Sequence, residues 1–93
     1  MSERIQVSGE LTLATVASRC KELDACLTAG ADIELDLSGV THADSSSLTL
    51  LLCWLRQANQ CQARIRIAAL PQSIQQLIDV YDLRELLLPA IPA

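Results

Sequence analysis

The chain has no Phe, one Trp and one Tyr among its 93 residues. With half of the residues hydrophobic, the core must therefore be aliphatic. A single His, His42, leaves little room for His-based catalysis or for a His-rich metal site. Three Gly residues supply no Gly-rich phosphate loop. No apolar run approaches the ~20 residues that a membrane-spanning helix needs. The opening Met1-Ser2-Glu3-Arg4-Ile5-Gln6-Val7 lacks the pattern of a secretory leader, so a cytoplasmic protein is expected. Basic residues are also scarce, seven against eleven acidic, for a net charge of −4. That balance argues against a nucleic-acid binder, which usually presents a basic face. Arg64 and Arg66 are the one close basic pair, and on a strand they share an outer, solvated face.

There are four cysteines. Cys20 and Cys26 fall in one predicted helix, Cys53 and Cys61 in another. Neither spacing suits zinc, and His42 has no ligand partner near it in sequence. Cys20 shares an apolar face with Leu13, Val16, Leu23 and Leu27 and reads as core. Disulfides are not expected in a cytosolic protein, so the cysteines are taken as structural thiols.

What is present is an alternating pattern of strands and helices. Ile5-Gln6-Val7 predicts a short strand ended by Ser8-Gly9. Thr12 is a candidate N-cap for a helix from about Leu13 to Leu27, with Gly30 as its stop. Asp32 to Leu37 is apolar at alternate positions, as a half-buried strand requires, and Ser38-Gly39 is expected to break it. A loop over Val40-Thr41-His42-Ala43 leads to a second helix from Leu48 to about Gln60. Arg64 to Ala68 predicts a third strand with Ile65 and Ile67 pointing inward. Pro71 opens a third helix, a favoured place for Pro, whose apolar stripe is Ile74, Leu77, Ile78 and Tyr81. A short element from Leu83 to Leu88 ends before Pro89. The order implies one α/β domain over residues 1–93 with an at least partly parallel sheet. No repeat, linker or low-complexity segment interrupts it.

The most informative run is Asp44-Ser45-Ser46-Ser47-Leu48, where the second strand hands over to the second helix. Hydroxyls at a helix start face free backbone N–H groups and the positive end of the helix dipole. Such a place suits a cap, a bound anion or a phosphoryl group. Asp44 or Ser45 is expected to cap the helix, and Ser46 is a phosphorylation candidate.

These segments together resemble the STAS domain, a family that covers sulfate-transporter C-terminal segments and antagonists of anti-sigma factors. The resemblance rests on Ser8-Gly9-Glu10-Leu11, on Leu35-Asp36-Leu37-Ser38-Gly39-Val40 and on Asp44-Ser45-Ser46-Ser47-Leu48, and extends over nearly the whole chain. It implies a small mixed β-sheet with helices packed on one face. In the anti-sigma-factor antagonists of the family the motif reads Asp-Ser-Ser-Gly, and its second Ser, here Ser46, is phosphorylated by a partner kinase. In the small STAS subunit of the Mla phospholipid-transport ABC complex the motif begins Asp-Thr. That hydroxyl, at the position of Ser45 here, contacts the ATPase subunit. The short chain, the leucine-rich Leu48-Thr49-Leu50-Leu51-Leu52-Cys53-Trp54-Leu55 and the ending Tyr81-Asp82-Leu83 to Leu88-Pro89 look more like the Mla subunit. Two departures stand out. Ser47 occupies the position of the motif's Gly. The family also usually has a strand before Ile5-Gln6-Val7, which leaves an open sheet edge for a partner to cover here.

The second helix suggests a contact surface on its own account. At about 100° per residue, Leu48, Leu51, Leu52 and Leu55 share one face, expected to be core. Leu50, Trp54 and Cys61 fall on a flank roughly 100° away. A Trp on such a flank suits a protein partner, unless the third helix buries it. The expected partner-binding set is therefore His42, Asp44, Ser45, Ser46, Ser47, Leu50 and Trp54. Enzyme chemistry is not expected. His42 precedes Ser45 by three residues, but no nucleophile elbow or oxyanion donor accompanies it. Glu34 and Asp36 share the outer face of a strand rather than forming a catalytic pair. No cofactor or metal is expected. The expected partner is an ABC transporter ATPase, with the protein peripheral to the inner membrane through it. The alternative partner is a kinase-like anti-sigma factor.

Overall fold

The computed structural model describes residues 2–23 and 26–87. Its elements are β1 (Ser2–Leu11), α1 (Val16–Arg19), β2 (Asp32–Ala43), α2 (Ser46–Cys61), β3 (Arg64–Ala68), α3 (Gln72–Val80) and α4 (Arg84–Leu87). The three strands form one sheet in the order β1-β2-β3, parallel throughout. Parallel neighbours need crossover connections, and the two segments between strands supply them. Both crossovers step the same way across the sheet and their helices touch, so α1 and α2 lie on one face. The mixed sheet implied by resemblance is thus all-parallel among the described strands, while the α/β layering is as expected.

Alternation along the strands sets the two faces. Val7, Leu11, Ile33, Leu35, Leu37, Ile65 and Ile67 point into the core. The other face carries Arg4, Glu34, Asp36, Arg64 and Arg66. There Arg4 Nη2 lies 2.7 Å from Asp36 Oδ2 and Arg66 Nε lies 3.6 Å from Asp32 Oδ1. The expected solvated face of Arg64 and Arg66 is therefore present, and both side chains are exposed.

Two strands run longer than expected. β2 continues through Ser38-Gly39 to Ala43, and the expected loop over residues 40–43 is strand. Its pairing with β1 slips twice, between Gln6 and Ser8 and between Gly9 and Glu10. Each slip places one extra residue in β2, a bulge that bends the strand without ending it. Gly39 permits the first slip. A Cβ there would sit 2.8 Å from the Ser8 Cβ.

The first helix is much shorter than expected. Only Val16–Arg19 is helical, no residue of it is buried, and turns follow as far as Leu23. Thr12 does not cap it. The position before the helix is Thr15, whose hydroxyl accepts from the Thr12 N–H at 3.0 Å and donates to the Glu10 carbonyl at 2.9 Å. β-Branched and small polar residues fill this stretch, and such residues favour local side-chain-to-backbone bonds over helix. Part of the expected helix, residues 24–25, and the end of the last element, Leu88 and Pro89, lie outside the described residues.

Cys20 and Cys53 are joined as a disulfide, with Cα atoms 6.4 Å apart, and Cys26 and Cys61 are free. The expectation of four unpaired thiols is corrected accordingly. Sequence spacing was silent on this pair because they lie 33 positions apart in the chain, with all of β2 between them. It is the crossover geometry that brings the α1 segment onto α2.

Candidate functional site

α2 begins where β2 ends, so the strand's last residues and the helix's first turn share one end of the domain. Asp44 organises this junction. Its Oδ1 accepts the Ser46 N–H at 2.8 Å and its Oδ2 accepts the Leu13 N–H at 3.2 Å. Its carbonyl accepts the Ser47 N–H at 3.0 Å. Asp44 is thus the side-chain cap, and Ser45, directly before the helix, makes no capping bond. The backbone N–H groups of Leu13 and then Ser46 hold the Asp44 carboxyl below its ordinary range, because both bonds favour the charged form. The same carboxylate ties the α1 segment to the start of α2.

The three serines have different surroundings. Ser45 is exposed, Ser46 is half-buried, and Ser47 is fully buried. The Ser47 hydroxyl has no hydrogen-bond partner. A side chain in the motif's Gly position is therefore accommodated inside the core, with its polar atom unsatisfied. His42 is exposed, with Nδ1 3.3 Å from the Thr41 hydroxyl.

The flank expected to carry a partner is not a surface. Leu50 and Trp54 are both 0 % exposed, and the Trp54 Nε1–H donates to the Arg19 carbonyl at 3.1 Å. The buried residues of α2 are Ser47, Leu48, Leu50, Leu51, Trp54 and Ala58. Their mean direction is rotated by about 80° from the expected core face. Leucine on nearly every side of this helix offered two apolar stripes. The stripe with Trp54 is the one the α1 segment covers, and the Arg19 carbonyl satisfies its indole N–H. The expected agent of burial, the third helix, is not what meets the indole N–H.

The rotation exposes a different face. Ser45, Leu48, Thr49 and Leu52 line a groove of about 270 Å³ together with Tyr81 and Leu83. Tyr81 is 54 % exposed, at the end of α3, and so leaves the apolar stripe assigned to it. Leu13, 76 % exposed, stands beside the junction through its N–H bond to Asp44. Sequence reasoning missed Thr49, Tyr81 and Leu13. The spacing of Ser45, Thr49 and Leu52 at helical intervals was the one available signal. Among the described residues there is no cluster of three or more potential metal ligands and no helix long and apolar enough to cross a membrane.

A parallel α/β sheet with a hydroxyl-bearing turn between its middle strand and longest helix defines a small domain whose distinctive chemistry lies at one helix start. In overall structure it is similar to the anti-sigma factor antagonist SpoIIAA, solved in its unphosphorylated form. The TM-score is 0.57 at 19 % identity, covering 86 % of this chain and 72 % of that one. Residues 2–89 match the family described as "Mlab, STAS domain", STAS_2. The chain belongs to this family. No curated protein sequence matches it.

Proposed function

We propose that this STAS domain is a non-catalytic cytoplasmic subunit that binds the ATPase of an Mla-type phospholipid-transport ABC complex. It stabilises or regulates that ATPase and is peripheral to the inner membrane through it. The observation that carries this reading is the exposed Ser45 hydroxyl at the rim of the groove lined by Tyr81, Leu48 and Leu52. A polar anchor beside buried Leu48, half-buried Leu52 and an exposed Tyr is the composition of a protein contact. The MlaB description of the family supports the choice of partner. Ser46, Asp44 and His42 border the same contact, while Ser47, Leu50 and Trp54 support it from the core.

A second reading is a phosphorylation-switched antagonist of an anti-sigma factor. It is favoured by the half-buried Ser46, whose N–H is held by the Asp44 carboxylate. A phosphate on Ser46 would bring nearly two negative charges beside that carboxylate. Their repulsion would loosen the Asp44 bond to Leu13.

Affinity capture of the tagged protein from cytosol and solubilised membranes, read by mass spectrometry, separates the two. An ABC ATPase with its permease and an unmodified Ser45–Ser47 peptide is the expected result. A soluble kinase-like partner together with phosphate on Ser46 would overturn the transporter reading. With the ATPase in hand, Ser45→Glu should weaken binding by about tenfold or more, because it buries an unpaired charge in the contact. Ser45 is exposed, so the variant should keep the wild-type circular dichroism spectrum.

A further inference from the structure

We propose that Cys20 and Cys53 form a reversible redox latch that fastens the α1 segment to α2. Packing holds the segment only in part: half-buried Val16 and Cys20 rest on the core, and Leu23 after the helix is buried. Its one-turn helix buries no residue, and Leu13 at its start is largely exposed. It is tied to α2 by polar clips. The Leu13 N–H donates to Asp44, the Trp54 indole donates to the Arg19 carbonyl, and the Gln57 amide donates to the Cys20 carbonyl at 3.0 Å. The Cys20–Cys53 bond is the covalent member of this set.

The surroundings of the sulfurs suit both oxidation states. Gln57 Nε2 lies 3.7 Å from the Cys20 sulfur and 3.6 Å from the Cys53 sulfur. A donor at that distance favours the thiolate, the form that attacks a disulfide. The carbonyl oxygen of the same Gln57 amide is buried without a partner. Reduction adds two S–H donors near this side chain, whose amide nitrogen lies within 3.7 Å of both sulfurs. Both cysteines are half-buried rather than sealed, so a small reagent can reach them.

The chemistry is thiol–disulfide exchange with a low-molecular-weight disulfide such as glutathione disulfide. One protein thiolate attacks a sulfur of that disulfide and releases one glutathione thiolate. The second protein thiolate then displaces the remaining glutathione. Two protein thiols are oxidised to one disulfide, one glutathione disulfide is reduced to two glutathiones, and the two thiol protons pass to the released glutathione thiolates. In a reducing compartment such bonds are usually transient and sensing rather than structural. Because Asp44 joins the same segment to the first turn of α2, the latch state reaches the candidate contact surface. The latch itself depends on no particular partner.

The test is equilibration of the full chain in glutathione buffers from mostly oxidised to mostly reduced. Acid quenching, differential alkylation, peptide mass spectrometry and amide hydrogen exchange then read the result. Oxidised protein should expose only the Cys26 and Cys61 thiols, and reduced protein all four. Reduction should speed amide exchange over residues 13–20 by roughly tenfold or more, with β2 and β3 unchanged. Four reactive thiols in every buffer, a disulfide made by Cys26 or Cys61 instead, or the same exchange over 13–20 in both states would each overturn the proposal. The Cys26→Ser/Cys61→Ser double variant should titrate as the wild type does. Wild-type protein alone decides the question if that variant fails to fold.

Discussion

The Ser47 side chain shows how one atom can work against the fold that holds it. Its hydroxyl is fully buried and unpaired, and a buried polar group without a partner costs about 1–3 kcal/mol. Ser47→Ala keeps the Cβ, removes that oxygen and improves helix propensity. It should therefore stabilise the domain by about 1 kcal/mol in urea denaturation. An unchanged or lowered midpoint would mean that the hydroxyl does find a partner. The run Asp44 to Ser47 was legible in sequence as a helix start. That Asp44 rather than Ser45 would do the capping was not. The choice depends on the Leu13 N–H, which arrives from 31 residues away.

At the scale of the elements, the long β2 depends on a glycine that the sequence read as a stop signal. Gly39 sits where the β1–β2 register slips, and its missing Cβ leaves room for the Ser8 side chain. Gly39→Ala should force the two strands apart and cost about 1–3 kcal/mol in chemical denaturation. Full retention of stability would show that the slip can relax elsewhere. β3 was readable end to end, because strict alternation over Arg64–Ala68 admits one strand register. α2 was readable in extent but not in rotation. Its leucines surround the axis, so periodicity alone could not tell core from flank, and the carbonyl of Arg19 beside Trp54 decided it. The expected helix over 13–27 failed for the opposite reason. Its apolar spacing was helical, but the Thr15 and Ser18 hydroxyls bond nearby backbone groups, Thr15 accepting from the Thr12 N–H.

At the scale of the molecule, the sheet face opposite α1 and α2 is a charged layer that makes stability depend on acid. The hydrogen bond from Arg4, then that from the Ser38 N–H, lowers the Asp36 carboxyl from 3.8 to about 2. The folded value lies below the unfolded one, so as pH falls the unfolded chain takes up the proton first. The contribution of Asp36 is therefore complete above the unfolded value and is lost as pH drops toward about 2. Asp44 shifts in the same direction and adds to the same loss. Asp36→Asn should thus be less stable than wild type near neutral pH, with the gap in urea midpoint closing between about pH 4 and pH 2. A gap that stays constant across that window would remove Asp36 from the acid response.

The order of strands and helices, the aliphatic core and the hydroxyl turn before α2 followed from the sequence by itself. Alternation, helical spacing and capping chemistry are local properties, written in neighbouring residues. The tertiary structure decided the rest: the parallel sense of all three strands, the burial of Leu50 and Trp54, the groove of Ser45 and Tyr81, and the meeting of Cys20 with Cys53. Each joins residues far apart in the chain. Where a helix offers two apolar stripes, or two thiols lie on either side of a strand, the choice rests on packing between elements, and no local pattern encodes it.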